Sequence, residues 1–128
     1  MNIKILYIED DKSQVEFFKY ICRNENNKDD INIELVTAET FGEALELLNK
    51  NIKYDICLTD LGLQGESGLA LVEGYSSLNW FVITAMTKDV VEKQLGDHKI
   101  IKKIFFKPYP KDKLLEELEN FVRFEKSK

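Results

Sequence analysis

Tyr54-Asp55-Ile56-Cys57-Leu58-Thr59-Asp60 is a short apolar run that stops on a carboxylate. From Tyr54 to Thr59 it reads as a strand, the third of the chain, and Asp60 ends it. Upstream, Ile3 to Ile8 is β-branched and aromatic, reads as a buried strand, and also ends on acid, at Glu9-Asp10-Asp11. Between the two lies Ile31 to Leu35, where Ile31, Ile33 and Leu35 alternate with Asn32 and Glu34, the period of an edge strand with one wetter face. Downstream, Trp80 to Thr84 reads as a fourth strand and Ile104 to Phe106 as a fifth, closed by Lys107-Pro108.

Helical patterns separate these strands. Asp11 or Ser13 has the position of a cap before Val15, Phe18 and Cys22. A polar stretch from Asn24 to Asp30, through Lys28-Asp29, reads as loop. Thr40-Phe41-Gly42-Glu43 has the form of a capping box, and Phe41, Ala44, Leu45 and Leu48 follow it at i, i+3, i+4 and i+7. A loop punctuated by Gly62, Gly65 and Gly68 leads to a short helix through Leu69, Val72 and Tyr75. Val90 to Leu95 after Thr87 makes a fourth helix, and Leu114, Leu118, Phe121 and Val122 mark the fifth. Five strands alternating with five helices predict an α/β fold in one domain, residues 1–128, with a parallel sheet covered on both faces.

Composition narrows the function. The 128 residues are 44% hydrophobic and 32% charged, as in globular proteins. No apolar run nears the roughly 18 residues that a bilayer span needs, and the N-terminal apolar stretch runs into acids without a small-residue cleavage site. The expectation is a cytoplasmic protein with no membrane partner. A formal net charge of −5 disfavours binding to a nucleic-acid backbone. Of the basic group Lys99, Lys102, Lys103 and Lys107, the first three read as a solvated face. Cys22 and Cys57 sit in apolar segments and read as buried free thiols, and His98 lacks the neighbours that zinc needs.

The strand ends are unusually polar for a core-forming pattern. In a parallel α/β sheet they share one edge, where ligands bind. Glu9, Asp10 and Asp60 would crowd there, a costly arrangement unless a cation joins them, and an all-oxygen set suits Mg²⁺ or a similar hard ion. Thr84 and Lys107 would add a hydroxyl and an ammonium. A carboxylate nucleophile, a divalent metal and groups that neutralise moving oxygens are the parts of phosphoryl transfer. Taken singly each residue has an ordinary use: the triplet caps a helix, Asp60 turns the chain, Thr84 is a strand residue, Lys107 faces water. Their joint placement carries the reading.

Together these motifs resemble the receiver domain of bacterial response regulators, over nearly the whole chain. The family's acidic pair matches Glu9-Asp10, its phosphoacceptor Asp60, its glycine eight residues on Gly68, its Thr-Ala Thr84-Ala85, and its Lys-Pro Lys107-Pro108. The resemblance implies a doubly wound five-stranded parallel sheet of order 2-1-3-4-5 in a three-layer α/β/α fold. It implies Mg²⁺ held by Asp10, Asp60 and the Gly62 carbonyl, with Glu9 acting through water. Asp60, Thr84 and Lys107 would do the chemistry, the Lys107-Pro108 peptide would be cis, and Thr84, Ala85 and Ile104 would carry the switch. The implied partners are a sensor histidine kinase or phosphotransfer protein, and a downstream target or linked output domain. The chain departs from the family at Gln64, where proline is usual, in the short segment between Gly68 and Thr84, which leaves a truncated third helix, and at Ile104, where many relatives carry Tyr or Phe.

Two other readings compete with a phosphorylation switch. A pseudo-receiver that only binds protein would not need the intact set of Asp10, Asp60, Thr84 and Lys107. A Mg²⁺-dependent phosphatase with an aspartyl nucleophile usually has a second acid two residues on, where Gly62 stands. On the switch reading the chain is no enzyme beyond its own phosphorylation and dephosphorylation.

Overall fold

In the computed structural model, described here for residues 1–27, 30–63, 66–96 and 99–128, five parallel strands form one sheet with helices on both faces. Gln64, Gly65, His98 and the Lys28-Asp29 part of the expected loop lie outside the described residues. The strands are β1 (Asn2–Ile8), β2 (Asn32–Ala38), β3 (Ile56–Asp60), β4 (Trp80–Thr84) and β5 (Ile101–Phe106). Their order is β2-β1-β3-β4-β5, which is 2-1-3-4-5, and every pairing is parallel. The helices are α1 (Lys12–Glu25), α2 (Phe41–Leu48), α3 (Gly68–Gly74), α4 (Lys88–Leu95) and α5 (Lys111–Lys126). A two-residue antiparallel ladder, Gly62–Leu63 with Glu66–Ser67, joins β3 to α3.

Alternation along β1 divides the core. Ile3, Ile5 and Tyr7 face α1 and α5 with Phe18, Leu114 and Leu118, while Leu6 and Ile8 face α2 and α3 with Ala44, Leu48, Leu71 and Trp80. A smaller cluster under α4 joins Leu61, Val82, Val91 and Leu95. Each helix from α1 to α4 starts at a side-chain cap: Asp11, Thr40, Ser67 and Thr87 accept from the N–H groups of Ser13, Glu43, Leu69 and Val90. The box at α2 is displaced by one residue, because Glu43 Oε2 accepts from the N–H of Glu39. The truncated third helix is seven residues long.

Several boundaries differ from the sequence reading, β2 among them, which runs on to Ala38 rather than stopping at Leu35. The third strand begins at Ile56 rather than Tyr54, because Asp55 closes the start of β1 with its side chain, its Oδ2 accepting from Lys4 N at 2.8 Å. The fifth begins at Ile101 rather than Ile104. It is an edge strand, where exposed charge is tolerated, and Lys103 there pairs with Glu117 of α5. Helix α1 continues through Glu25 into the stretch read as loop. Asn26, which caps it, then pins β2 by bonding the N–H and carbonyl of Ile33. Lys99 and Lys102 are exposed, and no described helix is long and apolar enough to cross a membrane.

Cys22 and Cys57 are free and buried, and burial pushes both thiols up to about 12. A disulfide dye reacts with thiolate, so neither thiol should react within minutes in the folded protein at about pH 8, and both should react at once in urea. Rapid modification of the folded chain would contradict this packing.

Candidate functional site

The order 2-1-3-4-5 places the reversal of strand order between β1 and β3. β1 is followed by the crossover to β2 on one side, and β3 by the crossover to β4 on the other. The two connections leave a crevice at the carboxyl ends of β1 and β3. Glu9 and Asp10 follow β1 there, and Asp60 is the last residue of β3. Glu9 is 1% exposed and Asp60 8%, with Asp10 more open. Burying Glu9 rather than a surface acid requires partners, and it has them. Its Oε1 accepts from Lys107 Nζ at 2.7 Å, its Oε2 from the Asp11 N–H at 3.4 Å, and the Tyr7 hydroxyl reaches Oε1 at 3.5 Å.

Asp60 is held from two sides. Its Oδ1 accepts from the Gly62 N–H at 2.9 Å and its Oδ2 from Lys107 Nζ at 2.8 Å. The chain can turn this closely because Gly68 has no side chain. Its N–H donates to the Leu61 carbonyl at 2.9 Å, and a Cβ there would lie 2.2 Å from the Asp60 carbonyl oxygen. Lys107 reaches the crevice because its own N–H donates to the Thr84 carbonyl at 2.7 Å, which ties the end of β5 to the end of β4. The Lys107-Pro108 peptide is cis.

Thr84 is 1% exposed, and its Oγ1 accepts from the Met86 N–H at 3.1 Å. Ala85 lies on the groove beside Lys107. Ile104 is farther back, in register with Val82 and packed on the cluster that contains Val91 and Leu95 of α4. The aromatic ring of β5 that pairs in register with Thr84 belongs to Phe106, which packs on that same cluster. Sequence reading placed the aromatic question at position 104 and missed position 106, although both point to one face by strand alternation.

Electrostatics decide what the crevice can hold. Burial raises the Glu9 carboxyl above its usual range, against the pull of the Lys107 bond, and the charge of Asp60 adds to the rise. Burial alone would lower the Lys107 ammonium, but its bonds to Asp60 and Glu9 together outweigh this and raise it. Glu9, Asp10 and Asp60 each offer a carboxylate oxygen, all within 4.8 Å of one another. Around Mg²⁺ at about 2.1 Å, opposite ligands are about 4.2 Å apart, so a small side-chain rotation would bring these oxygens onto one ion. Three acids that offer only oxygen donors, with Lys107 the lysine bonded to two of them, fit a hard divalent cation.

No protein-family model matches the sequence, and no curated protein matches it. Solved structures do. A CheY-like response regulator receiver domain protein from Methanospirillum hungatei is 20% identical, covers 99% of this chain and 98% of its own, and has a TM-score of 0.77. A response regulator receiver domain protein from Clostridium thermocellum is 19% identical, covers 97% of each chain, and has a TM-score of 0.76. The non-phosphorylated HemR receiver domain from Leptospira biflexa is 25% identical over 94% of each chain, with a TM-score of 0.68. Sequence likeness this low leaves the backbone as the shared feature. Over nearly its whole length this chain has the CheY-like fold of response regulator receiver domains.

Proposed function

We propose that residues 1–128 form a phosphoaccepting receiver domain of a two-component relay, with Asp60 as the acceptor. The supporting observation is the Asp60 carboxylate at the switch point, one oxygen on the Gly62 N–H and the other on Lys107, within 4.8 Å of two further acids. The donor is a sensor histidine kinase or phosphotransfer protein, and the compartment the cytoplasm. Asp10, Asp60 and the Gly62 carbonyl would hold Mg²⁺, with Glu9 acting through water. When bound, the ion would supply positive charge to the phosphoryl oxygens. An Asp60 carboxylate oxygen bonds to the phosphorus as the bond from phosphorus to the donor's histidine nitrogen breaks and its electron pair returns to the imidazole. Lys107 then pairs with the transferred phosphoryl oxygens.

The switch runs outward from Thr84. Its hydroxyl, at present the acceptor for Met86 N–H, has a proton free to donate to a phosphoryl oxygen. Moving it draws on the Ala85–Thr87 turn, and Thr87 caps α4. Ile104 is β-branched and packs beneath that helix, so it resists rotation and passes the strain to Val91 and Leu95. A downstream target or linked output domain would read the altered α4 face.

Incubation with acetyl phosphate and Mg²⁺ tests the reading. Intact mass should show one added phosphoryl group, lost when the metal is chelated. A chain that stays unmodified at millimolar donor and metal would leave it as a binding module.

A further inference from the structure

The first turn of α5 brings a second lysine to this site, one the mechanism above does not use. Lys111 is 6% exposed, as buried as Asp60. Among the described residues no hydrogen bond or ion pair holds its ammonium, in contrast to Lys107 with two carboxylates. It is also in the wrong place for a lysine. The amino end of a helix carries the positive end of the dipole, so a cation in the first turn is repelled. Burial lowers the ammonium's pKa, the charge of Lys107 lowers it further, and Glu9 and Asp60 pull it back up. The stem of Lys111 is covered while its ammonium keeps an edge to solvent, beside Lys107 and at the positive end of a helix, a place suited to receiving an anion.

Lys107 and Lys111 line the same groove, about 720 Å³ in volume, which runs between α1 and the turn after β5. Gln14 and Phe17 form its α1 side, and Tyr109 and Ala85 also line it. Lys107 joins this groove to the crevice, since its Nζ is bonded to Asp60, so a dianion seated beside Lys107 on the groove side would meet both ammonium groups.

We infer that Lys111 is a binding residue for the phosphoryl donor, gripping the oxygens of the phosphoryl dianion from the groove side while Lys107 grips them from the Asp60 side. This rests on the receiver reading above and deepens it. With an acyl phosphate as donor, the bond from phosphorus to the acyl oxygen breaks and its electron pair leaves on the carboxylate. An Asp60 carboxylate oxygen makes the new bond to phosphorus, and Lys111 neither gives nor takes a proton. Its contribution is to affinity. The ammonium that has no partner in the resting protein gains one when the donor arrives.

The test follows phosphorylation of the full chain by acetyl phosphate with Mg²⁺, in the parent, Lys111→Met and Lys111→Arg. Methionine keeps the apolar stem and removes the charge. Lys111→Met should raise the half-saturating acetyl phosphate about tenfold, as expected for one lost charge-assisted bond. The rate at saturation should change by less than about twofold, Lys111→Arg should stay within about threefold of the parent, and Lys111→Met should melt no lower than the parent. A lysine kept only for packing would give a lower melting temperature and an unchanged half-saturation. If Lys111→Met does not fold, Lys111→Gln carries the same expectations. Phosphorylation of the parent with an unchanged half-saturation in the variant would overturn the inference and leave Asp60 as acceptor. A parent that takes no phosphoryl group would overturn both.

Discussion

Gly68→Ala is expected to destabilise the protein by about 3 kcal/mol, the upper part of the range for forcing atoms into a packed site. The added Cβ would lie 2.2 Å from the Asp60 carbonyl oxygen and 3.2 Å from its carbonyl carbon, so the backbone itself must move. Thr59 Oγ1, at 3.0 Å from the same point, already donates to that Asp60 carbonyl and cannot retreat without breaking the bond. The shift would also stretch the Gly68 to Leu61 hydrogen bond that closes the loop below Asp60. Gly74→Ala is the control: a Cβ there meets nothing within 4 Å, and alanine suits a helix better by up to about 1 kcal/mol. Urea midpoints of the two variants should therefore move in opposite directions. Equal midpoints would show that the chain does not approach Asp60 this closely.

Lys107→Met should cost about 3 kcal/mol in metal-free buffer near neutral pH, because it removes the cation from a buried cluster and leaves two acids facing each other. The sign of the pH dependence is fixed. Burial already raises the Glu9 carboxyl, and losing the Lys107 bond, which lowers it, raises it further. A group whose folded pKa lies above its unfolded value takes up its proton more readily in the folded state. The loss in Lys107→Met should therefore shrink as pH falls through the folded Glu9 range, and be largest above it. Millimolar Mg²⁺ should restore part of the stability, since it binds the folded cluster alone. A variant whose stability loss is the same with and without Mg²⁺, and flat from about pH 4 to 8, would show that the acids do not share one field.

Much of this site could be read from the chain because its residues stand where hydrophobic runs stop. The end of β3 at Asp60 and the whole of β4 follow from apolar runs bounded by polar residues, and capping residues give Thr40 and Thr87. The strand order came from resemblance, since periodicity says nothing about which strands are neighbours. What stayed hidden depends on contacts between distant segments. Lys102 and Lys103 break the apolar pattern of β5, and only Glu117, fourteen residues on, explains why Lys103 sits in a strand. Asp55 looked like a strand residue until its carboxylate was seen on Lys4 N. Glu9 was assigned to the metal through water, whereas in the structure it also shares Lys107 with Asp60. Lys111 carried a faint signal, a lysine in the first turn of a helix, but its burial depends on a groove built from three separate segments.

The central claim is that Asp60 forms the acyl phosphate. Borohydride reduces an aspartyl phosphate to homoserine, so treating the acetyl phosphate-labelled protein and mapping its peptides reads the acceptor directly. Homoserine is expected at position 60, with none at position 10, no 2-amino-5-hydroxypentanoic acid (the product from a glutamyl phosphate) at position 9, and no homoserine anywhere in Asp60→Asn. Homoserine at Glu9's neighbour Asp10, or labelling that persists undiminished in Asp60→Asn, would contradict it.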